Sequence, residues 1–217
     1  MKKYNSIFAD FIISILIAFI VLSISIDFTL VFKPLYYFDI SNLSIESSSN
    51  ISRVDILKNY NYTINYVLEN KKSEYNLPTL PSSPEAQIHF YEVKQLFIKM
   101  TEVLAVAIAI VVIYGVFIKI RPRILKWSSI CLVLTSIGVI IPSLINFNSF
   151  FDFFHSIFFK NNYWQFDPVQ DPIITILPED FFLHCAILII SLWLLSSLVL
   201  WVLYIRRKTS TKNYKKK

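Results

Sequence analysis

Charged residues are scarce in this sequence: only 17% of its 217 residues are Asp, Glu, Lys or Arg, whereas 55% are hydrophobic. The hydrophobic residues fall in long blocks, which excludes an ordinary soluble domain and indicates an integral membrane protein. A hydrocarbon core about 30 Å thick requires roughly 20 apolar residues of helix, and four segments approach or exceed that length. The predicted fold is an all-α integral membrane protein whose four transmembrane helices cover residues 7–32, 103–118, 127–147 and 181–205.

Acidic residues are absent from three short segments that hold 13 of the 21 basic residues. These segments are the N-terminal flank, a loop at residues 119–126 and a tail at residues 206–217. Because short cytoplasmic flanks carry an excess of Lys and Arg, we expect both termini to be cytoplasmic. The carboxylates are then expected on or near the outer side, in extracytoplasmic segments at residues 33–102 and 148–180. The same bias accounts for the net charge of +6, so membrane lipids rather than nucleic acid are the expected partners.

Glycine and cysteine are also rare, with two residues of each. Few glycines beside many Ile, Lys, Asn, Phe and Tyr residues are typical of a low-GC bacterium, which indicates a bacterial cell membrane. Cys131 and Cys185 lie in predicted spans, where we expect them to pack as small apolar residues, not to form a disulfide or a CxxC-type metal site. No small-x-small cleavage pattern follows the first apolar run, so that run is predicted to be an uncleaved anchor.

The second span has only sixteen uncharged residues, which is short for a full crossing. We therefore expect its helix to extend outward and to begin at Ser82 or Ser83, with Pro84 in the first turn and Glu85 in a capping box. This helix carries His89 beside the span. The histidine segment and the span are thus predicted to share one helix.

Carboxylates at helical spacing accompany two of the three histidines. Glu85, His89 and Glu92 share one helix face, and Asp152 and His155 are three residues apart. A neighbouring carboxylate can fix the tautomer of an imidazole and raise its basicity, so each histidine has a candidate orienting partner. Solvated residues of interfacial helices show the same pattern, so the spacing alone does not establish a site.

The remaining polar residues can be explained without a catalytic or metal-binding role. For His184, inside the fourth span, a hydrogen bond to a neighbouring helix is the simplest expectation. The histidines and carboxylates match no recognised ligand spacing, so no metal site is expected. The aromatic residues around His155 are typical of an interface belt, but a belt does not explain the order of Trp164, Asp167 and Asp171.

Two regions of the sequence resemble the motifs of a bacterial family of four-span membrane proteins, the lipoprotein intramolecular transacylases. The stretch FHSIFF followed by WQFDPVQDPIITILPEDFF is similar to the pattern FHxIFF, W-x-FDP-x-x-D and LPE-x-FF. The upstream stretch IHFYEVKQLF is similar to HM-x-DVK-x-LF, with Phe90 in place of the usual Met and Glu92 in place of the usual Asp. The resemblance covers both motif regions and the order of the four spans.

The resemblance implies an enzyme that moves the sn-2 acyl chain of a diacylglyceryl-modified lipoprotein to the α-amino group of its N-terminal cysteine, giving a lyso-form lipoprotein. We expect His89 and His155 to be the general acid and base, with the two roles unassigned and no cofactor. Other residues are expected to bind the substrate or orient a histidine: Trp164, Asp167, Asp171, Glu92 and Asp152. The prolines of FDPVQDP predict a rigid turn, and acidic residues in such turns are commonly structural.

Without the resemblance, the residues leave two other classes open. A lipid or acyl-chain hydrolase that works through water would use the same histidines and carboxylates. A non-enzymatic subunit of a membrane assembly would need none of them.

Overall fold

A computed structural model gives the backbone of residues 2–214 and the side chains of residues 7–209. The last three lysines of the predicted basic tail, and the side chains of the other basic residues beyond these limits, lie outside the described residues. Over residues 2–214 the chain forms nine helices and no strand, so the predicted all-α class is confirmed. The helices are α1 (Lys2–Val31), α2 (Lys33–Asn42), α3 (Ile45–Ser49), α4 (Arg53–Leu68), α5 (Pro84–Phe117), α6 (Pro122–Ile145), α7 (Phe147–Phe158), α8 (Ile173–Ile176) and α9 (Glu179–Tyr214).

Four of these helices, α1, α5, α6 and α9, are long and apolar enough to cross a membrane. Their large apolar side chains are largely exposed, as at Val116 (71%) and Phe117 (80%), which is typical of helices that face lipid. Helix α5 has 34 residues and extends about 50 Å, well beyond a hydrocarbon core of about 30 Å. The histidine segment and the second span therefore share one helix, as the sequence predicts.

The chain divides into two compact units. Unit 1 contains the chain up to Asp27, the segment Thr101–Ile141 and the chain from Leu188 onward. Unit 2 contains Phe28–Met100 and Pro142–Ile187. Each long helix contributes residues to both units, and all three histidines belong to unit 2.

Small hydroxyl side chains join the helices of unit 1. The Oγ atoms of Ser129 and Ser197 lie 2.8 Å apart between α6 and α9, and Ser128 Oγ donates to the carbonyl of Ser14 in α1 at 3.0 Å. Such small polar residues let membrane helices approach closely while their own hydrogen bonds are satisfied. Cys131 is partly buried against the apolar cluster of this unit, which confirms its predicted packing role.

Unit 1 also holds a carboxylate within the first span. Asp10 is 1% exposed; Arg121 Nη1 lies 3.1 Å from each of its oxygens, and Arg123 Nε and the Tyr114 hydroxyl bond the same carboxylate. An unpaired charge in an apolar span is costly, so these partners explain how Asp10 is tolerated. The expectation that the carboxylates lie in the segments at residues 33–102 and 148–180 is wrong for Asp10, because this carboxylate is the counter-ion of the basic segment at residues 119–126.

Aromatic side chains form the core of unit 2. Tyr36 stacks on Tyr60 with ring centroids 3.7 Å apart, and its hydroxyl donates to the carbonyl of Ile176 at 2.7 Å. Tyr75 stacks on Phe90 with ring centroids 4.2 Å apart. The contacts of Tyr36 join α2, α4 and α8. Tyr75 lies in the irregular segment between α4 and α5, and its hydroxyl lies 2.9 Å from Thr63 Oγ1 of α4, so it joins the first turns of α5 to α4.

A buried lysine fixes that irregular segment. Lys94 of α5 is 2% exposed, and its Nζ donates to the carbonyl of Lys71 at 2.7 Å and to Ser73 Oγ at 3.2 Å. The same Nζ lies 4.2 Å from the ring centroid of Tyr66 and 3.4 Å from a carboxylate oxygen of Glu69. Ammonium groups are rarely buried without such partners, so Lys94 attaches the segment to the helix that carries His89.

Candidate functional site

The start of α5 is held by a carboxylate from a distant part of the chain. Asp171, which is 4% exposed, accepts hydrogen bonds from the backbone N–H and the Oγ–H of Ser83, both at 2.7 Å. Ser83 Oγ in turn accepts from the N–H of Ala86 at 3.1 Å. Ser83 is therefore the N-cap residue of α5. A capping box requires Glu or Gln at the third helical position, which is Ala86 and not Glu85, so the predicted capping box is wrong. The second motif region thereby anchors the helix of the first.

The two histidines predicted to be catalytic lie close together in unit 2. The ring centroids of His89 and His155 are 5.9 Å apart, and the two residues are 6% and 8% exposed. Phe159 contacts both rings, at 4.7 Å from His89 and 5.6 Å from His155. Trp164 stacks on His155 with centroids 4.5 Å apart and planes 25° apart. We call His89, His155, Phe159 and Trp164 the histidine cluster.

A backbone carbonyl orients His155. Its Nδ1 lies 2.8 Å from the carbonyl oxygen of Phe151, and because a carbonyl only accepts, Nδ1 carries the hydrogen. In the neutral ring, Nε2 then presents a lone pair. The carbonyl of Phe151, and not the predicted Asp152, therefore fixes the tautomer of His155. The negative charge of Asp152 does act to raise the pKa of the ring, as the spacing predicts. Burial lowers the pKa of His155 below its ordinary value of 6.5, against the opposing effects of the Phe151 carbonyl and the Asp152 charge.

His89 has an unpaired nitrogen inside the cluster. Its Nδ1 is buried and has no hydrogen-bond partner. The predicted orienting partner Glu92 instead accepts from Asn161 Nδ2 at 3.0 and 3.2 Å, so that prediction is wrong. The indole Nε1 of Trp164 is also buried without a partner. Unpaired buried polar groups cost about 1–3 kcal/mol each, so two in one cluster favour a site that a substrate completes.

The other predicted site residues lie in more ordinary surroundings. Asp167 is exposed in a turn, where its Oδ1 accepts from the N–H of Val169 at 2.9 Å; the predicted turn at FDPVQDP is confirmed. Asp152 is exposed on α7. Lys94 and Asp39 were not predicted to be site residues; the available signal was a charged residue among the apolar residues of an amphipathic segment.

The third histidine forms a separate pair. His184 Nδ1 lies 2.8 Å from Oδ1 of Asp39 in α2, and Asp39 is fully buried. This confirms the predicted hydrogen bond to a neighbouring helix. Over residues 7–209 no group of three or more His, Cys, Asp or Glu side chains is arranged to hold a metal ion.

Comparisons with known proteins give one consistent result. The family model of the lipoprotein intramolecular transacylase Lit matches residues 11–182. The in meso structure of the membrane-integral transacylase Lit from Bacillus cereus is 32% identical, with a TM-score of 0.91 over 97% of this chain and 99% of that chain. Two further structures of the same protein carry a histidine replaced by arginine or by alanine. Both are 32% identical and have TM-scores of 0.83 over 98% of this chain and, respectively, 98% and 99% of those chains. Among curated proteins, no sequence matches significantly.

Proposed function

This chain belongs to the lipoprotein intramolecular transacylase family, and we propose that it moves the sn-2 acyl chain of a diacylglyceryl-modified lipoprotein to the α-amino group of the lipoprotein's N-terminal cysteine. The family makes the protein a multi-pass membrane acyltransferase of lipoproteins. The observation that carries the finer proposal is the pair of buried imidazoles, 5.9 Å apart, in an aromatic cluster.

The reaction needs proton transfer but no enzyme nucleophile. The amine nitrogen attacks the carbonyl carbon of the ester, a carbon–nitrogen bond forms, and the bond between that carbon and the glyceryl oxygen breaks. The substrate ammonium loses two protons overall, one to the departing glyceryl oxygen and one to solvent. Because amine and ester belong to one molecule, holding them in contact can contribute up to about 7–11 kcal/mol.

The geometry suits the two histidines to different steps. Because its Nδ1–H bonds the carbonyl of Phe151, His155 presents the lone pair of Nε2, so we assign it as the base that takes a proton from the amine. His89 is assigned to protonate the glyceryl oxygen. Because the ring centroids are only 5.9 Å apart, both rings can contact one substrate group. Each such transfer typically contributes about 10²–10⁴-fold to the rate.

Neighbouring residues support these steps. The unpaired Nε1–H of Trp164 is a donor only, and we assign it to the ester carbonyl oxygen, where negative charge develops. The exposed carboxylate of Asp152 is the proposed contact for the substrate ammonium. Asp171 is proposed to act through Ser83, by setting the start of the helix that carries His89. Direct substrate binding by Asp167 and Glu92 stays a prediction.

We also propose that the histidine cluster faces the extracytoplasmic side and that both termini are cytoplasmic. The last residues of α1 and α6 and the first residues of α5 and α9 belong to unit 2. The basic segment at residues 119–126 joins the opposite ends of α5 and α6, and the positive-inside bias assigns such a segment to the cytoplasm.

The test uses purified protein in liposomes and a synthetic lipopeptide with different acyl chains at sn-1 and sn-2. Mass spectrometry is expected to find the sn-2 chain on the peptide amine and the sn-1 chain still on the glyceryl group. A free fatty acid labelled from ¹⁸O water would instead indicate a hydrolase, and an unchanged lipopeptide would indicate a non-enzymatic subunit. His184→Gln, which changes the histidine outside the cluster, is the matched control for His89→Ala and His155→Ala.

A further inference from the structure

Helix α7 carries large apolar side chains that the rest of the described chain covers only in part. Phe153 is 60% exposed, Phe154 42%, Ile157 59% and Phe158 48%. Their spacings of one, three and four place these four residues on one side of the helix. We call this set the phenylalanine face.

The opposite side of α7 is polar and also exposed, and includes Ser149, Asp152 and Ser156. Only the edge between the two sides is buried, through His155. A helix with one exposed apolar side, one exposed polar side and a buried edge fits the plane between lipid and water. In that orientation, the edge that carries His155 lies between those two media.

The continuity of the chain identifies lipid as what covers the phenylalanine face. Helix α6, a membrane span by length and composition, ends at Ile145, and α7 begins two residues later at Phe147. Leu144 and Ile145, at the end of that span, are 80% and 79% exposed. The exposed apolar surface thus continues from a span into α7. A separate protein partner would have to cover lipid-facing residues as well.

We propose that the phenylalanine face inserts among the acyl chains of the leaflet that borders unit 2, and that this insertion sets the depth of His155 at the glyceryl esters. Such helices bury their apolar side about 5–10 Å into the boundary between headgroups and acyl chains. Glyceryl esters lie at the same boundary because they join the apolar chains to the polar part of a lipid. This inference rests on the proposed function, since it explains how the base meets an ester that stays in the leaflet.

Depth can be measured without catalysis. Single cysteines are introduced as Phe153→Cys, Ile157→Cys, Ser149→Cys and Ser156→Cys in a background that lacks Cys131 and Cys185, and each is labelled with an environment-sensitive nitrobenzoxadiazole dye. In liposomes, lipids with a nitroxide on the upper acyl chain are expected to quench the dyes at 153 and 157 strongly. Dyes at the matched polar positions 149 and 156 are expected to respond to aqueous iodide instead.

Lipid charge provides a second readout. Helix α7 contains no Lys or Arg, so insertion is expected to be the same in zwitterionic and anionic liposomes and at low and high salt. Equal aqueous quenching at all four positions, or insertion that requires anionic lipid, would overturn the inference.

An activity measurement separates depth from chemistry. The double variant Phe153→Gln/Ile157→Gln is expected to transfer a long-chain substrate in liposomes about 10–100-fold more slowly, because a displacement of about 1 Å can cost about 10²-fold. With a short-chain lipopeptide free in solution, it is expected to match the unsubstituted protein. Equal loss on both substrates would contradict the depth role. If the unsubstituted protein forms no N-acyl product, the proposed function fails, and the dye measurement still decides the inference.

Discussion

Replacing Asp171 by alanine is expected to loosen the start of α5 and to slow acyl transfer, although we propose no contact of Asp171 with substrate. The carboxylate accepts two hydrogen bonds of 2.7 Å from Ser83. Hydrogen bonds to a charged group contribute about 1.5–3 kcal/mol each, so the two sum to about 3–6 kcal/mol. Ser83 is only half-buried, so water replaces part of the loss and the expected destabilisation is about 2–4 kcal/mol.

The assay is thermal unfolding of the detergent-solubilised protein, followed by a thiol-reactive dye that reports exposure of the partly buried Cys131 and Cys185. For a chain of this size, about 2–4 °C per kcal/mol gives a fall in Tm of about 4–16 °C. Below that Tm, the transfer rate is expected to fall about 10–100-fold, because His89 lies on the loosened helix and small displacements are costly.

Asp167→Ala is the matched control, since this carboxylate lies in the same turn but is exposed and accepts from the nearby N–H of Val169. Its effect on the free energy of unfolding is expected to be within about 1 kcal/mol. Asp171→Asn keeps one acceptor oxygen for the Ser83 N–H and should fall between the two. If Asp171→Ala unfolds at the same temperature as the control yet loses substrate affinity, the carboxylate binds substrate and the positioning argument is refuted.

Three further predictions follow from other contacts. Trp164→Phe keeps an aromatic ring beside His155 but removes the unpaired N–H, so kcat is expected to fall about 10²–10³-fold with KM little changed. The control is Trp193→Phe, which removes a buried unpaired N–H in unit 1 and should leave kcat unchanged. Because burial lowers the pKa of His155, the base stays neutral on mild acidification, and kcat/KM is expected to begin its fall only below pH 6.5. A fall of kcat/KM with a midpoint at or above pH 6.5 would contradict this. Asp10→Asn removes the charge that Arg121 and Arg123 contact and is expected to destabilise the protein by about 2–3 kcal/mol, read as a lower Tm. An unchanged Tm would show that these ion pairs do not stabilise the fold.

Residue spacing predicted the elements of this protein better than it predicted their partners. Hydropathy indicated the four long helices, and the start of α5 fell within one or two residues of the prediction, because both properties are local. Residue spacing identifies only neighbours along one helix, so it predicted Glu92 and Asp152 as the orienting partners of His89 and His155. In the structure, His155 bonds the carbonyl of Phe151 and Glu92 bonds Asn161.

The contacts that assemble the site join distant parts of the chain. Asp171 and Ser83 are 88 positions apart, and the polar side chains that contact Asp10 are more than 100 positions from it. The spacing of residues along the sequence does not identify such distant pairs, since any of several carboxylates could accept from the same donors. The approach of His89 to His155 was expected only because two motif regions resembled one family. The structure adds their separation, the tautomer of His155 and the unpaired nitrogens.

The central claim, that His89 and His155 serve one path of proton transfer, is tested most directly by the single-turnover rate of acyl transfer in four proteins: unsubstituted, His89→Ala, His155→Ala and the double variant. Each single substitution is expected to lower the rate about 10²–10⁴-fold. The double variant should lose little more than the worse single variant, because residues that act as a unit are strongly non-additive. A double variant whose loss equals the product of the single losses, or a single variant with an undiminished rate, would contradict the account.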